Sequence, residues 1–394
     1  MMDEEHRGEV RPVDRRVRED KFPDVAPEDW VDWRWQLRNR VRDLPGIERV
    51  LDLTDSEREA IERRTGMLPL GITPYYLSLM DPVDANDPLR RTMVPTLEEF
   101  TIMPYELADP LGEEAHSPLP GLVHTYPHKA LFLVTDFCAT YCRYCTRSRM
   151  VGGGEFLPDR AMWEGALAYI REHTEIRDVL LSGGDPLILA DERLEWLLEQ
   201  LYAIPHVELI RIGTKLPAVL PYRITDDLVN MLRRFHPLWM SLHFTHPNEL
   251  TPEVGEACDR LVDAGIPLMS QTVLLSGVND RVDTLRSLFQ NQLKFRVKPY
   301  YLHQCDAVAG SSHFKTTVEH GRALMRQLHG HLTGYAVPTY MIDAPGGGGK
   351  VPVSEASIVG REGENLLLEN YEGEIYRYPD PQPSGAGPLG NGTD

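Results

Sequence analysis

From about Ala130 onward one pattern recurs along the chain: a short apolar run of β-type residues, then an amphipathic stretch, then another run. The runs are LFLVT (131–135), DVLL (178–181), VELIRI (207–212), LWMSLHF (238–244), PLMSQTVLL (267–275), FRVKPYYL (295–302) and PTYMID (338–343). Such alternation predicts repeated βα units and a mostly parallel sheet. Between the runs lie helix candidates such as ITDDLVNMLRRF, which opens on the capping residue Thr225 and runs to Phe235. A length of 394 residues suffices for one large α/β barrel with appendages. In parallel barrels the loops after the strands form the catalytic face, and the polar and glycine-rich stretches of this chain fall there.

The flanks read differently. Residues 1–25 are dense in charge and predict a disordered arm, and 379–394 form a Pro/Gly-rich tail with no periodicity. Residues 26–125 predict a helical region, with Trp30, Trp33, Leu37 and Val41 at spacings of three and four and a second helix around Asp55 to Arg64. That aromatic stripe reads as core or interface and is assigned no chemistry. The barrel is expected over 126–335 and a C-terminal segment over 336–378. With 41 Lys and Arg against 60 Asp and Glu, the net charge of -19 repels nucleic acid and anionic lipid, so a small molecule is the expected partner. No apolar stretch resembles a signal peptide or a spanning helix, and a cytoplasmic location is expected.

Three of the five cysteines, Cys138, Cys142 and Cys145, share a tight loop just after the first run. That grouping points to a metal site in a reducing compartment rather than to disulfides, while Cys258 and Cys305 read as small core residues. A structural zinc takes four ligands, and no fourth cysteine lies nearby. An iron–sulfur cubane on three thiolates keeps one iron open to an exogenous molecule, which makes it a catalyst. Ser182-Gly183-Gly184-Asp185 follows the second run; it is either a plain turn or a place where backbone approaches a ligand and an acid accepts from its ammonium. His243 and His246 in HFTHP invite a metal pair but have no evident third ligand. Gly346 to Lys350 fails as a phosphate loop, since Ala344 stands where its first glycine belongs and Val351 where a hydroxyl is needed. It reads equally as a flexible surface loop or as a lysine delivered into a cavity to form a Schiff base.

The CxxxCxxC spacing, with Tyr144 before the last cysteine, resembles the signature of the radical S-adenosylmethionine superfamily. Across residues 95 to 360 the stretches ADPLGEE, HSPLPGL, LFLVTDFCATYCRYCTRSR, DVLLSGGDPL, LPYRIT, HFTHPNE, LLSGVND, KPYYLHQCD and DAPGGGGK resemble those of lysine 2,3-aminomutase and its relatives. The resemblance implies a partial (βα)6-type barrel with an N-terminal helical extension and a C-terminal segment that binds pyridoxal phosphate. It implies an isomerase that migrates an amino group within an amino acid. A 4Fe-4S cluster on Cys138, Cys142 and Cys145 would cleave S-adenosylmethionine, which Gly183, Gly184 and Asp185 contact, with His243 and Gln271 as further candidates. Lys350 matches the lysine that carries pyridoxal phosphate, and Arg147 the arginine that binds the substrate α-carboxylate. Asp306 and Asp343 match the pair that binds the distal ammonium of lysine; two converging carboxylates reject a third, so lysine is expected, then ornithine or arginine, rather than glutamate. The segment Thr125 to Lys129 has fewer arginines than its counterparts, leaving Tyr126 and Lys129 as the phosphate candidates. Arg281 replaces a zinc cysteine and no C-terminal cysteine cluster follows, so structural zinc is not expected. A flavodoxin or ferredoxin as electron donor and a homo-oligomer complete the implied picture. A radical enzyme without pyridoxal phosphate and a simple electron-transfer module are the rival readings.

Overall fold

The computed structural model describes residues 21–379 apart from 64–67, 154–155, 354–357 and 371. The arm expected over 1–25 and the tail over 379–394 lie almost wholly outside the described residues. Every one of the apolar runs is a strand of a single nine-stranded sheet whose order follows the chain, β1 to β9. β2 (Lys129–Thr135), β3 (Asp178–Gly183), β4 (Leu209–Thr214), β5 (Leu238–His243), β6 (Leu268–Leu274), β7 (Val297–Gln304) and β8 (Thr339–Ala344) are parallel neighbours. A helix occupies each of the crossovers: Arg160–Glu172, Asp191–Tyr202, Asp226–Leu232, Pro252–Asp263, Val282–Lys294 and Val318–Leu328. The architecture is the expected α/β barrel, with a seventh parallel strand beyond six βα units.

Local chemistry explains these helices. Thr251 caps the fifth strand's crossover by accepting from Val254 N, Pro252 sits at the first turn, and Val254, Ala257, Cys258 and Leu261 form its buried stripe. Thr225 likewise accepts from Leu228 N, although that helix closes at Leu232, before the expected Phe235. Along β3 and β4 burial alternates strictly. Val179, Leu181, Ile210 and Ile212 join the hydrophobic core, while Leu180, Ser182, Arg211 and Gly213 face a central cavity. A slip of one residue would exchange the two sets, so the apolar pattern holds the register and hence the cavity lining.

The sheet's edges depart from expectation. β1 (Leu122–Tyr126) falls inside the stretch expected to be helical, and runs antiparallel to β2. β9 (Gly349–Pro352) runs antiparallel to β8 and pairs Lys350 opposite Asp343. Both are too short to show a period. Lys350 N donates to Tyr126 Oη at 2.7 Å, so β9 meets β1 across the barrel's open seam. The N-terminal region is helical but broken into short pieces, among them Pro27–Val31, Trp33–Arg38, Leu44–Glu48 and Asp55–Arg63. Trp30 lies in the core, as expected of the aromatic stripe. A three-stranded antiparallel sheet, β10 (Ile358–Glu362), β11 (Asn365–Glu369) and β12 (Ile375–Pro379), ends the described chain. Among the described residues no helix is long and apolar enough to cross a membrane.

Candidate active site

One cavity of about 420 Å³ runs through the barrel, and the residues to which the family resemblance assigns cofactor or substrate roles all line it: Cys138, Cys142, Cys145, Arg147, Gly183, Gly184, Asp185, His243, Gln271, Asp306, Asp343, Lys350, Tyr126 and Lys129. The three thiols stand at one end, on the loop after β2. Burial raises their pKa values, that of Cys142 to about 11, so they are thiols in isolation and lose protons only to a strong electrophile such as iron. Among the described residues no three His, Cys, Asp or Glu side chains are already placed to hold a single ion. A soft, buried, all-sulfur donor set fits a cluster bound at separate iron corners.

The glycines of the SGGD turn act on this loop. A Cβ at Gly184 would lie 2.3 Å from Phe137 O, and Gly184 N and Asp185 N donate to Thr135 O and Phe137 O at 2.6 and 2.9 Å. Close approach is therefore required by the cysteine loop itself. Asp185 is buried, with its carboxylate filled by Thr214 Oγ1 at 2.7 Å and Lys215 N at 2.8 Å, and burial raises it to about 6. Hydrogen bonds from the chain's own donors thus fix the orientation of the carboxylate expected to meet a ligand ammonium. Next along the sheet, His243 Nε2 stands 2.6 Å from the Gln271 amide, and Tyr300 donates to that amide's oxygen. Burial, then electrostatic coupling to Lys215, His303, Arg147 and Lys350, lower His243 to about 3 and keep it neutral. His246 caps its own turn by accepting from Asn248 N and does not line the cavity, so no histidine pair forms.

At the far end Lys350 Nζ lies 2.9 and 2.8 Å from the Asp343 oxygens, which also take a hydrogen bond from His303 Nδ1 at 3.3 Å. Burial would raise Asp343, but His303 and Lys350 outweigh it and hold the carboxyl at about 2. Asp306 contrasts sharply: burial and the charge of Asp343 push it up to about 7. The glycine run is shaped rather than slack. Gly347 and Gly349 have φ of 85° and 78°, and their Cβ atoms would overlap His116 and Tyr126. Lys129 Nζ sits 3.9 Å above the Tyr126 ring, beside Arg211, which lines the same wall and pairs with Asp178. A primary amine, a ring face and two cations fit an anionic aldehyde cofactor.

Several lining residues escaped the sequence reading. Arg147 is buried against Glu113, with Nη2 to Oε1 at 2.6 Å, and reaches Ser182 Oγ at 3.3 Å. Lys215 Nζ is held by Glu249 at 2.6 Å and Thr245 at 3.1 Å, and its charge opposes the burial that raises the Cys142 thiol. Glu113 and Glu249 lay within the quoted ADPLGEE and HFTHPNE motifs, and His303 within KPYYLHQCD; only their partners reveal them.

The match to known proteins follows this division. The family model described as the Radical SAM superfamily matches residues 132–288, the part of the barrel that carries Cys138, Cys142 and Cys145. The one described as Lysine-2,3-aminomutase matches residues 325–391, which carry Asp343 and Lys350. L-lysine 2,3-aminomutase of Clostridium subterminale is 47% identical over 91% of this chain and 86% of its own length. That of Bacillus subtilis is 47% identical over 92% of this chain and 77% of its own length. Glutamate 2,3-aminomutase of Clostridioides difficile is 42% identical over 90% and 83%. The chain belongs to the lysine 2,3-aminomutase family of radical S-adenosylmethionine isomerases. With that family come a 4Fe-4S cluster, S-adenosylmethionine and pyridoxal phosphate.

Proposed function

We propose that this protein interconverts L-lysine and β-lysine, moving the amino group between the α- and β-carbons. Two carboxylates, Asp306 and Asp343, face the same cavity as the Arg147 guanidinium, and that observation carries the reading. Asp343 already holds a primary ammonium at the tip of a lysine side chain, that of Lys350, which is the group a lysine substrate presents. Asp306 adds a second buried carboxyl with Asp343's charge against it, an arrangement relieved by a cation and worsened by a glutamate side chain. Relatives of both substrate types are similar to this chain, and the two carboxylates favour the cationic substrate.

In this reading Cys138, Cys142 and Cys145 hold the cluster, and Gly183, Gly184, Asp185, His243 and Gln271 face S-adenosylmethionine. Lys350 carries pyridoxal phosphate, with Tyr126 and Lys129 at its phosphate. When bound, these groups supply a carbon radical that removes an unactivated hydrogen and a π-system through which nitrogen reaches the neighbouring carbon. The chain's own part is placement: Arg147 takes the α-carboxylate in two parallel hydrogen bonds, the aspartates take the distal ammonium, and the β-carbon is fixed between them. A flavodoxin or ferredoxin donates the electron, and the protein works in the cytoplasm as a homo-oligomer. Anaerobic reconstitution followed by a screen of lysine, ornithine, arginine and glutamate for β-isomers tests the proposal. Lysine is expected to be turned over best; glutamate as best substrate overturns the reading of Asp306 and Asp343.

A further inference from the structure

Four arginines of the described chain are almost wholly buried: Arg40, Arg90, Arg143 and Arg223. Three have a carboxylate partner, Glu57, Glu99 and Asp191 respectively. Arg40 has none among the described residues. Its charge is felt mainly by Tyr141, Arg42 and Cys138, and its Nε has no hydrogen-bond partner. It stands just past the helix Trp33–Arg38, where the bridge between Val41 and Ile72 fixes the backbone. The guanidinium lies 4.1 Å from the centroid of the Phe137 ring and 5.7 Å from that of Tyr141. Its Nη1 donates to the Cys138 carbonyl at 2.5 Å, across 98 residues of sequence. A carbonyl dipole and two ring faces steady a cation but do not neutralise it, and an uncompensated buried charge is costly.

We propose that Arg40 is the counter-charge of the iron–sulfur cluster: a positioning residue that grips the cysteine loop from outside and stabilises the cluster's reduced form. Three thiolates make a bound cluster net anionic, and one-electron reduction adds a further negative charge with no bond made or broken at Arg40. A fixed cation at the backbone of Cys138 favours the reduced form more than the oxidised one, and so raises the midpoint potential. The N-terminal region thereby enters the redox step, although it contributes no cluster ligand. This inference rests on the assignment of Cys138, Cys142 and Cys145 as cluster ligands.

The test uses the full chain reconstituted anaerobically with iron and sulfide, with iron content and the cluster's midpoint potential as readouts, for wild type, Arg40→Met and Arg40→Lys. Methionine keeps the apolar stem and removes the charge; lysine keeps the charge and removes the planar fork. A lower midpoint for Arg40→Met at full iron content, with Arg40→Lys near wild type, is the expected result. If Arg40→Met does not retain iron, retention by Arg40→Lys supports the proposal, and equal failure of both overturns it in favour of a packing role. Equal midpoints for wild type and Arg40→Met at equal iron content also overturn it. A wild-type protein that takes up no cluster instead removes the underlying ligand assignment.

Discussion

The thiol end of the cavity is tied down by side chains from far away, whereas the lysine end is made by two adjacent strands. Arg143, inside the cysteine motif, pairs with Glu99 across 44 residues and donates to the carbonyls of Leu68 and Pro69, and Tyr141 N donates to Gly71 O. Lys350 and Asp343, by contrast, are cross-strand neighbours seven residues apart, and the Lys350 side chain is 36% exposed. One end is built as rigid scaffold, as a loop that must present three sulfurs to one cluster requires. The other keeps movable charge, which suits the proposed role of Lys350 as a lysine that gives way to a substrate. Each end should therefore fail in its own way.

The largest expected effect is at the adjustable end. Lys350→Ala should abolish the visible absorbance of bound pyridoxal phosphate and lower turnover by roughly four orders of magnitude or more, with iron content unchanged. Glu99→Gln attacks the scaffold: it strands the Arg143 guanidinium in the interior and should cost about 3–5 kcal/mol of stability, read as a lower Tm together with poor iron retention. If that variant instead impaired cofactor capture at Lys350 while retaining iron, the division between the ends would be wrong. Arg147→Met removes the proposed charge-assisted contact to the substrate carboxylate and should lower kcat/KM by ~10²–10³-fold. The smallest effect sharpens the lysine end. With Asp306 at about 7, its carboxylate is present above that pH and protonated below it, so KM for lysine should rise as pH falls, approaching about tenfold per unit below 7. Asp306→Asn should raise KM by ~10–100-fold and flatten that dependence in a steady-state pH series.

The same contrast explains what could be read from the residues alone. β2 to β8 were legible because a strand buried beneath helices needs a contiguous apolar run, and Cys138, Cys142 and Cys145 because their spacing is local. β1 and β9 were not, since LVHTY and GKVP are too short to carry a period. The candidates share one cavity, yet the physical reason for some of them changed. Gly184 is needed by the backbone of Phe137, and Gly347 and Gly349 by His116 and Tyr126, rather than for flexibility. Glu113, Lys215, Glu249 and Arg40 acquire meaning only through partners tens of residues away, a relation that neither composition nor periodicity encodes.

Hydrogen tracing asks directly whether the two ends serve one substrate. Loaded enzyme would be given L-lysine deuterated at its β-carbon, and S-adenosylmethionine recovered after turnover would be assayed by mass spectrometry. Deuterium in the recovered nucleoside is the predicted result, because the thiol end and Lys350 open on one cavity. Formation of β-lysine with the nucleoside free of label would contradict it.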